Sequence, residues 1–345
     1  MQTTSPLALL LVRALEARAA LVDAAHESAF RAFNGFTESE PALAIDLYAT
    51  TAVIHDYDEA PEAGAARARE AIDILRTKLP WLRCGVVKTR AGATPQARRG
   101  EIAFGDAPDR RVREHGVWYA VDLAMNRDAS LYLDTRNLRR WVFDHLRGKA
   151  VLNTFAYTGS LGVAALAGGA APVVQLDLNR RFLELARRSA ELNGLDPRAH
   201  EILAGDFFPR VAQLKRAGRL FDCVLLDPPF FATSARGTID LENSITRLIN
   251  KVRPLIAHDG RLVVVNNALY VSGAQFMAEL EALCADGYLA IETLVPVPDD
   301  FAGYATTRAG APVTDPAPFN HATKIAVLRV SRKGARDTQD LGDAR

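Results

Sequence analysis

The sequence predicts an α/β fold, with an open and mostly parallel sheet whose last strand is reversed, preceded by a smaller α+β domain. Between residues 150 and 330, short apolar strands alternate with helical segments, as in a parallel sheet. Several of these strands are followed by glycine or a carboxylate, and open parallel sheets bind ligands at the carboxyl ends of their strands. The 345 residues are enough for two domains.

Composition limits the classes of function. The formal net charge is +1 and 24% of residues are charged, so a nucleic-acid surface would have to be local. Three cysteines without metal-like spacing indicate a reducing compartment, core positions and no metal site. The apolar run 7–12 is interrupted at once by Arg13 and Glu16, which argues against a signal peptide or membrane span. We expect a cytoplasmic protein without a membrane partner, and the sequence does not indicate an oligomeric state.

The first third of the chain is predicted to precede the main sheet. Apolar residues at near-helical spacing predict an amphipathic helix over 5–33, and we define residues 1–32 as an N-terminal helical segment. Residues 33–113 are predicted to form the α+β domain, with strands over 43–48, 52–57 and 84–89 and a helix over 62–78. Residues 114–133 are predicted to form a linking hairpin, with strands over 115–121 and 130–133.

A basic cluster lies near the end of this domain. Between Arg83 and Arg113 there are eight basic residues and three acidic ones. Phosphate neutralisation supplies much of sequence-independent RNA affinity, so Arg98, Arg99, Arg110 and Arg111 are candidate RNA contacts. A solvated, flexible loop would account for the same composition.

The main domain is predicted over residues 134–331, with Asp134 capping a helix over 135–146. Its first strand, at 151–152, leads into a loop with Thr158 and Gly159 and then a helix, where glycine lets the backbone approach a ligand and the helix N-terminus favours a nucleotide-like cofactor. The second strand ends on Asp177, 24 residues after Asn153, which suits ribose hydroxyls. The third, at 201–204, precedes Asp206 and Phe207, which suit an adenine amino group and ring face.

The most specific motif is Asp227, Pro228, Pro229 and Phe230, directly after the apolar strand 223–226. Two prolines cannot continue a sheet ladder, so the chain leaves the sheet with its carbonyls unpaired. A carboxylate, a proline carbonyl and an aromatic ring can together hold a planar nitrogenous group.

Taken together, these motifs resemble the class I S-adenosylmethionine-dependent methyltransferases, and more closely the family that methylates large-subunit ribosomal RNA at guanine N7 or cytosine C5. The resemblance spans roughly residues 30–275 and rests on segments 33–57, 113–123, 130–140, 153–160, 176–195, 225–231 and 263–268. It implies a Rossmann-like sheet and S-adenosylmethionine as cofactor. The implied cofactor-binding residues are Arg136, Asn153, Phe155, Tyr157, Thr158, Gly159, Asp177, Leu178, Asp206, Phe207 and Asp227.

The acceptor is inferred from the segment after the strand 262–265. Methylation of cytosine C5 needs a cysteine nucleophile, and the cytosine branch carries one where this chain has Asn266 and Asn267. The guanine-N7 branch shows asparagines there, so guanine N7 is favoured. We therefore assign catalytic roles to the Asp227–Phe230 motif and Asn266, and substrate contacts to Phe231 and Asn267. One departure is that Ala268 follows, where that branch continues with basic residues, so the substrate can differ.

Three alternatives stay open from the sequence. The motif at 227–230 also suits an exocyclic amine on adenine or guanine. The protein could instead methylate a small molecule or a protein side chain, with the N-terminal domain as lid or dimer contact, or it could be a non-catalytic RNA-binding module. Residues 289–297 and 324–330 are predicted as reversed terminal strands, the loop 298–320 as a lid or substrate loop, and residues 332–345 as a disordered tail.

Overall fold

The structure is a computed structural model that describes residues 5–234, 237–241 and 245–332. The chain divides into two compact units. The first contains the residues up to Asp134 together with Pro298–Ala311, and the second contains Thr135–Val297 and the residues from Pro312 onward. The predicted tail lies outside the described residues from position 333 on.

The first unit contains a mixed sheet. Its helices are α1 (Pro6–Ala17), α2 (Pro61–Lys78), α3 (Pro95–Arg99) and, late in the chain, the short helix Asp299–Ala302. Its strands are β1 (Ala29–Asn34), β2 (Leu43–Tyr48), β3 (Thr51–Asp56), β4 (Cys84–Thr89), β5 (Glu101–Phe104), β6 (Arg111–Glu114) and β7 (Val117–Ala120). The sheet order is β1-β2-β3-β4-β5, with β3 and β4 parallel and the other neighbours antiparallel. Strands β6 and β7 form a separate hairpin.

Two predictions for this unit are wrong. The helix predicted over 5–33 begins after the Ser5 N-cap but ends at Ala17, and residues 29–34 form β1. The reason is tertiary, because the apolar residues of β1 are buried against β2 in a core that the helix shares. The predicted hairpin is also shifted: β6 pairs with β7 through a turn at His115 and Gly116, both at positive φ, and residues 130–133 form no strand.

The second unit contains the larger sheet. Its helices are α4 (Arg136–His145), α5 (Ser160–Ala167), α6 (Arg180–Leu192), α7 (Phe207–Arg216), α8 (Ile245–Val252) and α9 (Gly273–Cys284). Its strands are β8 (Val151–Thr154), β9 (Val173–Asp177), β10 (His200–Ala204), β11 (Phe221–Leu226), β12 (Phe231–Ser234), β13 (Gly237–Asp240), β14 (Ile256–Asn266), β15 (Leu289–Leu294) and β16 (Lys324–Val330).

Seven of these strands form a sheet in the order β10-β9-β8-β11-β14-β16-β15, and β12 and β13 form a separate pair, so the predicted α/β fold is confirmed. The first five run parallel, and β16 is antiparallel to both of its neighbours. β15 therefore runs with the parallel strands, and the prediction that it is reversed is wrong. The chain steps outward from β8 to β9 and β10 and then returns to β11, so the sheet has its topological switch point between β8 and β11.

The loop predicted as a lid is held by contacts in both of its parts. Residues 298–311 belong to the first unit, where the Asn34 side-chain amide donates to the carbonyl of Phe301 at 2.8 Å. In the second unit, the Gly273 N–H at the start of α9 donates to the carbonyl of Asp315 at 2.9 Å. The predicted domain 134–331 is therefore interrupted, because its segment 298–311 belongs to the first unit, and the role of the loop as a lid or substrate loop stays a prediction.

None of the helices in the described ranges is long and apolar enough to cross a membrane. Within the same ranges, no group of three or more His, Cys, Asp or Glu side chains is arranged to hold a metal ion.

Candidate functional site

The loop after β8 has an unusual backbone. Phe155 and Tyr157 have φ of 53° and 52°, and Gly159 has φ of 74°. Left-handed conformations cost about 1–2 kcal/mol for residues with a side chain, and such strain concentrates at ligand sites. The loop is stabilised by the next strand, because the Ala156 N–H donates to the Leu176 carbonyl at 2.9 Å. The loop is thus a rigid, strained turn at the switch point of the sheet.

A buried amide pair supports this loop from below. Gln175 is fully buried in β9; its Nε2 donates to the Gly159 carbonyl at 3.1 Å and its Oε1 accepts from Asn153 Nδ2 at 2.9 Å. Asn153, predicted to bind the cofactor, is 1% exposed and supports the loop through its hydrogen bond to Gln175. Gln175 was not predicted. Its one signal in the sequence is a polar residue inside the apolar run of β9.

Asp177 links the first and second strand-end loops. Its Oδ2 accepts from the Tyr157 N–H and its Oδ1 from the Asn179 N–H, both at 2.8 Å. Burial raises the pKa of the Asp177 carboxyl, while the N–H donors of Asn179, Tyr157 and Leu178 act in the opposite direction. Each carboxylate oxygen has a second lone pair, so Asp177 can still accept from a ligand hydroxyl. Leu178, beside it, is 69% exposed.

Asp206 follows β10 and caps α7. Its Oδ1 accepts from the Phe208 N–H at 2.9 Å, and its Oδ2 accepts no hydrogen bond from the described residues. The predicted role of the Phe207 ring as a platform for a bound base does not fit the structure. Phe207 is 5% exposed, and its ring stacks on Phe155 with centroids 4.5 Å apart, because it completes the core under the loop.

The Asp227–Phe230 motif joins β11 to a hairpin that the sequence analysis missed. Pro228 is buried, whereas Phe230 and Phe231 are 44% and 60% exposed. β12 begins at Phe231 and pairs with β13, and the Leu241 N–H donates to the Phe230 carbonyl at 3.0 Å. The two exposed rings therefore lie at the carboxyl edge of the sheet, next to the switch point.

The segment after β14 places one predicted residue inside the protein. Asn266 is 0% exposed, and its Oδ1 accepts from the Ala268 N–H at 2.9 Å, which turns the chain. Its Nδ2 is buried and has no hydrogen-bond partner among the described residues. Asn267 is exposed, as are Leu269 and Tyr270. Asn266 thus shapes the turn, and its neighbours form the accessible surface.

Lys324, a residue that sequence reasoning missed, lies beside this turn. It is the ladder partner of Asn266 and is 0% exposed. Its Nζ donates to the carbonyls of Ala268 at 2.9 Å and Ala322 at 2.6 Å. Burial lowers the pKa of the Lys324 amine to about 8. The signal in the sequence is a lysine directly before the apolar run 325–328.

Arg136 is the first residue of α4 and is partly buried. Asp134, the predicted cap, is not at the N-cap position of this helix. It lies in a 3-10 turn over Leu133–Thr135, and the N-cap position is Thr135.

Not all basic residues between Arg83 and Arg113 are accessible in the structure of the first unit. Lys88 is fully buried, its Nζ donates to the carbonyls of Arg99 and Asn126, and burial lowers the pKa of its amine to about 8. Arg98 uses Nη1 to donate to the Gly92 carbonyl at 2.7 Å. The other three predicted RNA contacts are exposed, namely Arg99, Arg110 and Arg111. The Arg111 guanidinium lies 4.4 Å from the centre of the Trp118 ring.

A separate cavity of about 270 Å³ lies beside β10. It is lined by Arg180, Leu183, Glu184, Arg187, Ile202, Leu203, Ala204 and Arg210. None of the predicted site residues lines it.

Comparisons with known proteins agree with this geometry. A family model described as S-adenosylmethionine-dependent methyltransferase matches residues 104–309. Ribosomal RNA large subunit methyltransferase K of Neisseria meningitidis serogroup B is 33% identical over 235 residues, 65% of each chain. Methyltransferase K/L of Marinobacter nauticus is 32% identical over 66% of this chain and 32% of its own length. Methyltransferase I of Aeromonas salmonicida is 36% identical over 64% of this chain and 56% of its own length. The chain thus spans less than two thirds of each of these three relatives.

Solved structures share the fold at low identity. The crystal structure of SMU.776 complexed with SAH has a TM-score of 0.81 at 21% identity, covering 96% of this chain and 83% of that one. The M. jannaschii tRNA m1G37 methyltransferase has a TM-score of 0.54 at 14% identity, covering 94% and 79%.

Proposed function

Because the chain belongs to the S-adenosylmethionine-dependent methyltransferases, we propose that it transfers a methyl group from S-adenosylmethionine to a base of large-subunit ribosomal RNA, with guanine N7 as acceptor. The observation that carries this proposal is the carboxyl edge of the sheet. There, Asp177 and Asp206 follow β9 and β10, and the motif at 227–230 follows β11 with two exposed rings beside it. The RNA class is supported by the names of the relatives from Neisseria, Marinobacter and Aeromonas.

The residues present fit S-adenosylmethionine. Asp177, already oriented by two N–H donors, would accept from the ribose hydroxyls. The Asp206 Oδ2 would accept from the adenine amino group, and the exposed Leu178 would pack on the adenine face in place of Phe207. When bound, the cofactor supplies an electrophilic methyl group on a sulfonium. Arg136, Thr158 and Tyr157 remain candidates for the methionyl end.

The remaining task of the protein is to orient the base. Guanine N7 has an in-plane lone pair and no proton to remove, so correct placement is sufficient, and orientation contributes roughly 7–11 kcal/mol to such reactions. Phe230 and Phe231 would stack the unpaired base, worth about 1–3 kcal/mol per base. Asp227 and the Pro228 carbonyl would accept from amino or imino N–H groups of the base. Asn267, exposed on the turn after β14, would contact its edge.

RNA binding is assigned to the exposed arginines of the first unit. Arg99, Arg110 and Arg111 have side chains accessible to phosphate. Arg98 would contribute through the part of its guanidinium that is not donating to Gly92.

The test is nucleoside mass spectrometry on ribosomal RNA from cells that lack the gene, before and after treatment with purified protein and S-adenosylmethionine. We expect 7-methylguanosine to appear. Asp227→Asn should lower turnover by about 100-fold, because it weakens the acceptor that orients the base. Asp286→Asn, a change at an exposed carboxylate after α9, is the matched control and should leave turnover unchanged.

Other products would redirect the proposal. A methylated exocyclic amine would make the Asp227–Phe230 motif the determinant of the acceptor, since its acceptors suit an amino group. Absence of any RNA product, together with stoichiometric S-adenosylmethionine binding, would refute the RNA substrate and leave small-molecule or protein acceptors, or a non-catalytic RNA-binding role.

A further inference from the structure

Lys324 is a buried cation, and no carboxylate of the described residues forms an ion pair with it. Its side chain is fully buried, its Nζ has two carbonyl partners, and burial alone accounts for the fall in the pKa of its amine. Burying an ammonium group without an ion pair is costly, and an apolar residue at this strand position would avoid that cost. The amine is nevertheless present at this position, and its two hydrogen bonds join it to the carbonyls of Ala268 and Ala322.

Both of its partners lie at the carboxyl edge of the sheet. Ala322 precedes β16, and Ala268 belongs to the turn 266–270 that follows β14. Both backbone polar groups of Ala268 are hydrogen-bonded. Its N–H donates to Asn266 Oδ1, and its carbonyl accepts from Lys324 Nζ. The backbone of the turn is thereby fixed to two neighbouring strands.

The turn presents exposed side chains next to the Asp227–Phe230 motif. β14 is the sheet neighbour of β11, and Leu226 at the end of β11 pairs in register with Val264. Asn267 is exposed, Leu269 is 43% exposed and Tyr270 is 68% exposed. These residues flank the place where the acceptor base would lie, on the side away from β9 and β10.

We propose that Lys324 is a positioning residue for the acceptor, which holds the turn 266–270 so that Asn267 and Tyr270 face the bound base. This inference rests on the proposed function and deepens it, because it assigns the β14–β16 side of the edge to substrate RNA and leaves the β8–β10 side to the cofactor. If Lys324 had a purely structural role, replacing it would lower stability and would affect the binding of RNA and of S-adenosylmethionine alike.

The experiment compares Lys324→Met with the wild-type protein. Methionine keeps an unbranched stem and removes both donors. At a temperature well below unfolding, we expect KM for ribosomal RNA to rise about 10-fold, the effect of one or two lost hydrogen bonds, with the Kd for S-adenosylmethionine within about twofold of the wild-type value. Leu280→Ala, which leaves a cavity in the buried face of α9, is the control for lost stability and should alter neither constant. A KM equal to that of the wild-type protein, or a parallel loss of both ligands, would overturn the proposal.

A second pair of variants tests the turn itself if Lys324→Met does not fold. Tyr270→Ala and Asn267→Ala change exposed side chains and preserve the core. Each should raise KM for RNA, and an unchanged KM in both would overturn the proposal, because Lys324 would then have no substrate contact to position.

Hydrogen exchange separates this inference from the proposed function. If Lys324 holds the turn, Lys324→Met should lose amide protection at residues 266–270 while β11 keeps its protection, whatever the acceptor is. Unchanged protection in the turn would refute the positioning role. Failure of the wild-type protein to methylate RNA would refute only the proposed function.

Discussion

Gly159 occupies a position where any residue with a side chain would have a strained backbone, and where its Cβ would clash with a neighbouring helix. Its φ is 74°, and a Cβ added there would lie 2.3 Å from the Cβ of Ala186 in α6. The close approach lets α5 begin directly above β9, with Gln175 bonded to the Gly159 carbonyl. The backbone at the switch point is therefore set by the absence of a side chain.

We expect Gly159→Ala to destabilise the protein by about 2–5 kcal/mol, the sum of left-handed strain and overpacking. It should also weaken S-adenosylmethionine binding. Urea denaturation and calorimetric titration measure the two effects. Gly194→Ala is the matched control, because Gly194 has φ of 62° and a Cβ there meets nothing within 4 Å. If both variants lose equal stability, close packing at Gly159 is not the cause.

His200 makes the support beneath the same loop sensitive to pH. Its Nε2 lies 3.2 Å from Gln175 Nε2 and can accept from it only when the imidazole is neutral. Burial, followed by the charge of Arg187, lowers the pKa of His200 from 6.5 to about 4. Between these values the unfolded chain binds a proton that the folded chain does not. This contribution to stability is therefore complete above pH 6.5 and is lost as the pH falls toward 4.

The corresponding prediction concerns the free energy of unfolding at pH 7.5 and pH 5. The wild-type protein should lose more stability over this interval than His200→Gln, which has no titrating group at the position. If both proteins lost the same free energy of unfolding over this interval, groups other than His200 would be responsible for the loss of stability at acidic pH.

At the scale of elements, the segment 298–304 behaves as a part of the first unit. Arg18 in the first unit makes a two-pronged ion pair with Glu38, at 2.9 and 3.2 Å, and donates to the Asp300 carbonyl at 3.2 Å. The Asp300 carboxylate accepts from the Arg31 N–H at 2.8 Å, and the Arg31 guanidinium lies 4.1 Å from the centre of the Phe301 ring. A late segment of the chain is thus anchored by residues from its beginning.

Arg18→Met should destabilise the first unit by about 3–5 kcal/mol, because Glu38 would remain buried without its partner. The double variant Arg18→Met with Glu38→Gln should recover most of that loss, since no uncompensated charge is left. Thermal and urea unfolding of the three proteins measure this difference. A double variant no more stable than the single one would show that the hydrogen bonds to the segment matter more than the buried charge.

At the scale of the whole molecule, each unit has its own hydrophobic core. Every residue assigned to the cofactor belongs to the second unit, and the predicted arginines belong to the first. Cofactor binding should therefore stabilise mainly the second unit.

S-adenosylmethionine at 100 times its Kd should stabilise the cofactor-binding unit by about 2.7 kcal/mol. Hydrogen exchange should show added protection in β8, β9, β10 and their following loops, with β1–β5 unchanged. Protection that rises equally in β1–β5 would contradict the assignment of the cofactor to the second unit alone.

The Asp227–Phe230 motif and the acid-ending strands could be predicted because their signals are local. An apolar strand followed by glycine, a carboxylate or two prolines specifies where the chain leaves the sheet, and parallel topology brings those exits to one edge. The second strand accordingly ends on Asp177 as predicted, and the strand predicted over 201–204 is observed over 200–204. The family could also be inferred from those same segments.

The features that only the tertiary structure decided depend on contacts between residues that are distant in the sequence. Residues 29–34 became a strand because β2 pairs with them, and the ring of Phe207 was taken into the core by Phe155. Asn266 and Lys324 are 58 positions apart and meet only because β16 pairs with β14. The sequence by itself determined the sheet and its edge of carboxylates. Only the packing of the chain decided which of those side chains face a ligand and which hold the loops beneath it, because burial is set by neighbours that local patterns do not specify.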